Sequence, residues 1–381
     1  MSETPRVAIT LTQLWHQVPG GTATSSQRLV EALAQTGRVE LVGVGAAGDL
    51  RRPKTLLNPA PPVDWNAPIE FVRMPLPLPL LYDAWTHSDL FKIASRAEQV
   101  DLIHLTVPIR PPVEKTPFVA TVHDLFALTH PELMTARGAK MMRAGIEQIL
   151  LRAQLVMVPS QCVADDCVAE GLSPDRVRVV PWGVKQVDLA EDAVEQVRER
   201  YRLPERYVLF VGTVEPRKNL GLLVQAMQQL AEPDLALVLV GPGGWGEAFG
   251  SAGPESLANL PFTVLRLGFL PEKDLAALQR GAEAFCFPSL AEGFGLPVLE
   301  AMAAGAAVVT SLGTATAEVA GDGALLIDPH SAEDLAAALD TLLHDHALAA
   351  ALRARGQKRS KIFTWQRSAE LTMSAYTEVL A

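Results

Sequence analysis

The stretch Pro288-Ser-Leu-Ala-Glu-Gly-Phe-Gly-Leu-Pro-Val-Leu-Glu-Ala-Met-Ala-Ala-Gly305 concentrates residue types that could do chemistry. An apolar run ends at Pro288, a glycine-containing loop follows, and Pro297 stands where a helix can begin, because its missing N–H costs nothing there. Gly305 is suited to stop that helix. Gly293, Phe294, Gly295 and Leu296 then present free backbone amides at a helix N-terminus, where partial positive charge favours an anion such as phosphate. Two carboxylates flank the turn: Glu292 in the loop, and Glu300, read as lying in the first helical turn. Each can accept hydrogen bonds from two neighbouring hydroxyls, which suits a polyol such as a sugar. The plainer reading makes Glu292 a solvated loop acid and Glu300 a surface residue favoured by the helix dipole.

A second candidate is Val211-Gly-Thr-Val-Glu-Pro-Arg-Lys-Asn-Leu220. A buried-type strand ends in a turn, and Arg217 and Lys218 sit just before an apolar helix. Adjacent cations there could bind a diphosphate, Arg through its planar fork and Lys as a point charge. Taken alone, such a pair is more often a solvated face. A competing motif, Gly241-Pro-Gly-Gly-Trp-Gly246, matches the dinucleotide fingerprint G-x-G-x-x-G. That fingerprint expects an acid at the end of the next strand. Here that strand ends Arg266-Leu-Gly-Phe269, so a structural loop is the better reading. No Asp-x-Asp stands where a metal-bridged diphosphate would want one, and no metal or other cofactor is expected.

These segments need elements to hold them. Short β-branched runs alternate with amphipathic stretches almost throughout, and several are apolar at every position, as in Leu235-Ala-Leu-Val-Leu-Val240. Such runs fit strands covered on both faces, so the class is α/β with parallel sheets. The rhythm breaks at residues 185–204, which are charged and helix-friendly. We read residues 1–184 as one domain, 185–204 as a link and 205–363 as a second domain, with 364–381 forming a helix that returns to brace the first. Ligands of open α/β sheets bind beyond the strands' carboxyl ends, so two such domains facing each other would make a cleft. Met74–Leu81 contains Pro75, Pro77 and Pro79 and reads as an extended segment.

The 381 residues carry a net charge of −10 with no long basic tract, which argues against nucleic acid as the main partner. The first half is nearly neutral and the second strongly acidic, so Arg217 and Lys218 stand out in their surroundings. Cys162, Cys167 and Cys286 cannot make a disulfide framework. No apolar run is long enough to span a bilayer, and a cytoplasmic protein is expected. Lys140–Arg152 is basic and amphipathic; it could touch the inner face of a membrane, although a core-facing helix is the commoner meaning.

Together the two site segments resemble the retaining, nucleotide-sugar-dependent glycosyltransferases of family 4, and their mannosyltransferase branch most closely. Residues 212–220 and 292–302 look like that family's two donor-site motifs, the second with paired glutamates separated by seven residues. The resemblance implies the GT-B architecture of two Rossmann-like domains. It also implies transfer of a hexose, with GDP-mannose favoured as donor, to a hydroxyl of a glycan or lipid-linked acceptor. UDP-sugars are the alternative donors; a sugar-nucleotide epimerase or an oxidoreductase is a more distant one. By position, Arg217 and Lys218 would bind the diphosphate, Glu300 the ribose and Glu292 the sugar hydroxyls, while backbone near Leu267 would read the base. Gly21, in Pro19-Gly-Gly-Thr22, would face the donor phosphates, and His123, in Thr121-Val-His-Asp124, would touch the transferred sugar. Thr213 and Lys185 depart from the residues common in the family, Arg and Asp. His16, His104 and His130 stay unassigned, and Trp15, His16 and Tyr82–Trp85 are candidates for the acceptor side.

Overall fold

The computed structural model describes residues 4–15, 20–47, 69–112, 114–232, 234–243 and 260–381. Thirteen strands among the described residues form two wholly parallel sheets. The first contains β1 (Arg6–Thr10), β2 (Glu40–Gly45), β3 (Glu70–Arg73), β4 (Leu102–Leu105), β5 (Phe118–Thr121), β6 (Leu155–Val158) and β7 (Val177–Val179), in the order β3-β2-β1-β4-β5-β6-β7. The second contains β8 (Arg206–Val211), β9 (Leu235–Val240), β10 (Val264–Gly268), β11 (Ala284–Phe287), β12 (Val308–Ser311) and β13 (Ala324–Ile327), in the order β10-β9-β8-β11-β12-β13. Each order reverses once, beside β1 and beside β8, and a doubly wound sheet leaves its crevice at that point. The all-apolar strands are central, as expected of strands covered on both faces: every residue of β9 and β11 is buried.

Two compact units result. Among the described residues, one runs from β1 to Gly183 and takes back Thr364–Ala381; the other is Val184–Phe363. Residues 185–204 belong to the second unit. Their helix, Ala193–Tyr201, buries Val197 and packs on the helix Glu272–Gly281, where the Tyr201 hydroxyl donates to Asp274 at 2.6 Å. One apolar face is enough to dock a helix that is otherwise charged.

The C-terminal helix, Trp365–Leu380, packs on the helix Gly21–Gln35 and buries Ala369, Met373 and Tyr376 in the first core. Gly183 passes so close to it that a Cβ would stand 2.2 Å from the Trp365 nitrogen. The proline-rich segment is only partly extended: a helix, Leu78–His87, starts within it. Pro77 is the extended residue before that helix and Pro79 falls in its first turn, where no intrahelical donor is lost. The basic amphipathic segment is the helix Ala136–Arg152. It turns Ile146 and Ile149 inward, and Gly145 lets it lie against the Pro108 carbonyl. No helix among the described residues is long and apolar enough to cross a membrane.

Candidate functional site

At the carboxyl end of β8 the chain turns through Gly212 (φ +155°) into a short 3-10 turn, Pro216–Lys218. Asn219 closes the turn in a left-handed conformation (φ +57°), and the helix Leu220–Leu230 begins. The Asn219 amide donates to the carbonyls of Pro288 (3.1 Å) and Pro329 (2.7 Å). The Leu290 N–H donates to the Arg217 carbonyl at 2.9 Å. These bonds lock the turn after β8 to the loop after β11, so the two sequence motifs form one site.

Arg217 and Lys218 are not a solvated face. The Arg217 guanidinium donates to the Ala291 carbonyl (2.9 Å), to Glu215 (2.6 Å) and to Glu292 Oε1 (2.8 Å). The Lys218 ammonium meets the same Glu292 oxygen at 2.5 Å and lies 4.5 Å from the centre of the Phe287 ring. Lys218 is 8% exposed and Glu215 7%, and the Glu292 side chain is 9% exposed. Burial by itself raises the Glu292 pKa, but Arg217 and Lys218 outweigh it and hold the carboxyl below its usual range. Burial, with Arg217 alongside, lowers that of Lys218 against the pull of Glu292. Glu215 has no place in the sequence reading. Its only signal there is an acid directly before Pro-Arg-Lys, at the edge of a strand.

The loop after β11 leads into the helix Leu296–Ala304. Gly295 (φ +97°) caps it with its α-carbon against Thr316: a Cβ would come 2.6 Å from the Thr316 methyl, so glycine is required. Phe294 and Leu296 are buried, Phe294 edge-on to Phe363 at 6.0 Å. What Gly293–Leu296 can offer a ligand is therefore backbone. Glu300 is half-buried one position beyond the first turn that the sequence reading gives it, because the helix begins at Leu296 and its first turn carries no acid. The dipole explanation for this glutamate weakens accordingly. Leu267, half-buried, lies in β10 at one side of the sheet. Gly241 ends β9, and a Cβ there would stand 2.3 Å from the Gly212 carbonyl oxygen. Close approach of neighbouring strand ends accounts for that glycine; residues 244–246 of the fingerprint lie outside the described residues.

In the first unit, Gly21 opens the helix Gly21–Gln35 after an extended Gly20. His123 follows β5 and is 5% exposed, with its ring centre 5.2 Å from that of Trp182. Its Nε2 lies 2.8 Å from the Thr106 carbonyl, which has to accept, so Nε2 carries the proton. Its Nδ1, buried too, has no hydrogen-bond partner among the described residues. Burial lowers the His123 pKa to about 4. His104 is a different case. Its Nδ1 meets the Tyr376 hydroxyl and its Nε2 meets Thr121, both at 2.7 Å, inside the core. Burial, with His123 nearby, lowers its pKa to about 3. It fastens the C-terminal helix to β4 and β5. His130 is exposed beside Glu132 at 3.3 Å, and His16 lies outside the described residues. Trp15, Tyr82 and Trp85 are core residues rather than an acceptor surface. Trp15 stacks on Phe71, Tyr82 on Trp85, and the Tyr82 hydroxyl donates to Thr12. Among the described residues, no group of three or more His, Cys, Asp or Glu could hold a metal ion.

Two doubly wound parallel units, with charged turns joined beyond the strands of the second, are the architecture of the GT-B fold. HepE from Anabaena, solved in complex with UDP-glucose, has the same fold: TM-score 0.75 at 19% identity, over 98% of this chain and 99% of that one. Residues 19–186 match the family model described as Glycosyltransferase Family 4, and residues 194–359 match Glycosyl transferases group 1. The O-antigen chain mannosyltransferase B of Escherichia coli is 31% identical over 271 residues, 68% of this chain and 69% of that protein. The phosphatidyl-myo-inositol mannosyltransferase of Mycolicibacterium smegmatis is 28% identical over 374 residues, 95% of this chain and 91% of that protein. The chain belongs to the family 4 glycosyltransferases, a retaining family, and is a hexosyltransferase.

Proposed function

We propose that this enzyme transfers mannose from GDP-mannose to a hydroxyl of a glycan or a lipid-linked sugar. The observation that carries the donor-site assignment is the buried cluster of Arg217, Lys218 and Glu292, drawn from two strand ends 74 residues apart. Arg217, Lys218 and the amides at the start of the helix Leu296–Ala304 take the diphosphate. Glu300 takes the ribose and backbone at Leu267 the base, and Gly21 is assigned to the donor phosphates. Glu292 receives hydroxyls of the sugar. His123, whose Nδ1 has no partner among the described residues, accepts a hydrogen bond from a hydroxyl of the sugar.

The barrier lies in building positive charge at the anomeric carbon while negative charge grows on the leaving diphosphate. Fixed cations and oriented amides in a buried setting stabilise that charge without rearranging. This reading assigns the task to protein groups and calls for no metal. No carboxylate is assigned as a nucleophile. The acceptor attacks from the leaving-group face, and the departing phosphate oxygen takes the acceptor's proton, which retains the configuration.

Mannose is supported by the Glu215-Pro-Arg-Lys-Asn219 form of the first motif and by two relatives named as mannosyltransferases. Their names, one for an O-antigen chain and one for phosphatidyl-myo-inositol, support a glycan or lipid-linked acceptor. A cytoplasmic location is proposed with this reading; Lys140–Arg152 would be the segment to meet a membrane surface, against the plainer reading of a core-facing helix that turns Ile146 and Ile149 inward. Titration with GDP and UDP tests the donor. Tighter binding of GDP, and GDP release from GDP-mannose alone among a panel of nucleotide sugars, are the expected results. A clear preference for UDP would remove the mannose reading.

A further inference from the structure

We propose that Glu292 is an exchangeable counter-ion, which competes with the donor's diphosphate for Arg217 and Lys218 and moves to the sugar hydroxyls only when an intact nucleotide sugar binds. The proposal rests on reading Arg217 and Lys218 as the diphosphate's partners. Its basis is the wiring of four charges, of which Glu215 and Lys218 are buried and Arg217 and Glu292 partly so. Glu215 and Glu292 balance Arg217 and Lys218, and a single oxygen, Oε1 of Glu292, touches both cations.

The two cations are held differently. Arg217 is also fixed by Glu215 and by the Ala291 carbonyl, so it stays oriented if Glu292 leaves. Among the described residues, Glu292 is the one carboxylate within ion-pair distance of Lys218. A diphosphate that reaches Lys218 and the Nη1 of Arg217 arrives at the positions Glu292 Oε1 already uses. Two anions so close in a buried site repel strongly, and one of them has to yield. A displaced, buried carboxylate is unfavourable unless new donors meet it. Sugar hydroxyls are such donors, and a nucleoside diphosphate has none to offer there. The cluster therefore favours nucleotide sugar over spent nucleotide. Once the sugar has been transferred, Glu292 returns to the cations and weakens the hold on the nucleoside diphosphate, which speeds product release.

The test is calorimetric titration of the full chain with pyrophosphate, GDP and GDP-mannose, with UDP and UDP-glucose in parallel. Glu292→Gln should bind pyrophosphate and the nucleoside diphosphate about tenfold tighter than the unaltered chain, since a competing charge is gone. Its affinity for nucleotide sugar should rise less, so the preference for sugar over nucleotide shrinks. Glu215→Gln removes an equal charge that does not exchange; it should shift both ligands alike. Should Glu292→Gln fail to fold, Glu292→Ala, which also removes the charge, is read the same way. The proposal falls if the Glu292 variant binds pyrophosphate no tighter, or if it shifts nucleotide and nucleotide sugar equally. Lys218→Ala separates the two levels of argument. If it leaves pyrophosphate and nucleotide affinity unchanged, the donor-site reading itself is wrong; if it weakens them while Glu292→Gln has no effect, only the exchange fails.

Discussion

The carboxyl ends of the two sheets hold polar groups of opposite kinds. Beyond β8 and β11 the buried groups are charged and satisfy one another: Glu215, Arg217, Lys218 and Glu292. Beyond β1, β4 and β5 they are neutral. Gln13 donates to Thr106 at 2.9 Å and to Ser26, the Thr10 hydroxyl accepts from the Thr106 N–H, and the Thr106 carbonyl accepts from His123. A neutral network of hydroxyls and amides costs little to bury when each member is bonded, and it suits a ligand that offers hydroxyls. Buried charges are expensive to desolvate, and breaking one pair leaves its partner stranded. On the proposed reading, the first arrangement serves an anion whose charge changes during reaction. The second belongs with holding a shape.

The largest expected effect comes from removing a cation at the charged end. Lys218→Ala should lower the transfer rate about 10³-fold, near 4 kcal/mol, the range seen when one preorganised group is taken from developing negative charge. Steady-state rates on folded protein check it, and a loss under tenfold would strip Lys218 of its role.

Acid separates the two ends by the pH range in which each gives way, since the shifts on both are downward. Both buried histidines sit in the first unit with pKa values lowered from 6.5, His104 to about 3 and His123 to about 4. A base with a depressed folded pKa lends full stability above its unfolded pKa and loses it as the pH falls from 6.5 toward the folded value. By pH 5 that amounts to about 2 kcal/mol for each histidine. Glu292, held below 4.5, gives up its contribution only on further acidification. Urea unfolding at pH 7 and pH 5 should show the midpoint falling, and a folded His104→Gln chain should lose about half of that drop. An unchanged midpoint at pH 5 would show that protonating the histidines is not linked to unfolding.

How much of this was legible in the sequence differs between the ends for the same physical reason. The charged end is written in two contiguous motifs, so the turn after β8, the glycines of the loop after β11, and Arg217, Lys218 and Glu292 could be picked out by type and spacing. Glu215 was missed because its meaning depends on a guanidinium folding back two residues later. The neutral end is assembled from scattered residues. Nothing near His104 announces that its partner is Tyr376, 272 positions on, and Trp15, Tyr82 and Trp85 carry no mark that they pack inward. Helix starts were also blurred. The helix at Leu78 begins inside a run of prolines, and the position of Glu300 hangs on whether Gly295 or Pro297 sets the first turn.

The smallest predicted effect sharpens the contrast most. Ser26→Ala removes the hydroxyl that accepts from Gln13 and donates to the Thr22 carbonyl, in a fully buried setting. Gln13 keeps its bond to Thr106, and the strands are untouched, so the cost is that of two neutral hydrogen bonds, about 2 kcal/mol. It should appear as a lower urea midpoint with an unchanged slope. Affinity for nucleoside diphosphate should stay the same, because no charge has moved and none of the cations loses a partner. A change in that affinity would mean that the neutral network takes part in holding the anion, and the division of labour drawn between the two sheet ends would have to be given up.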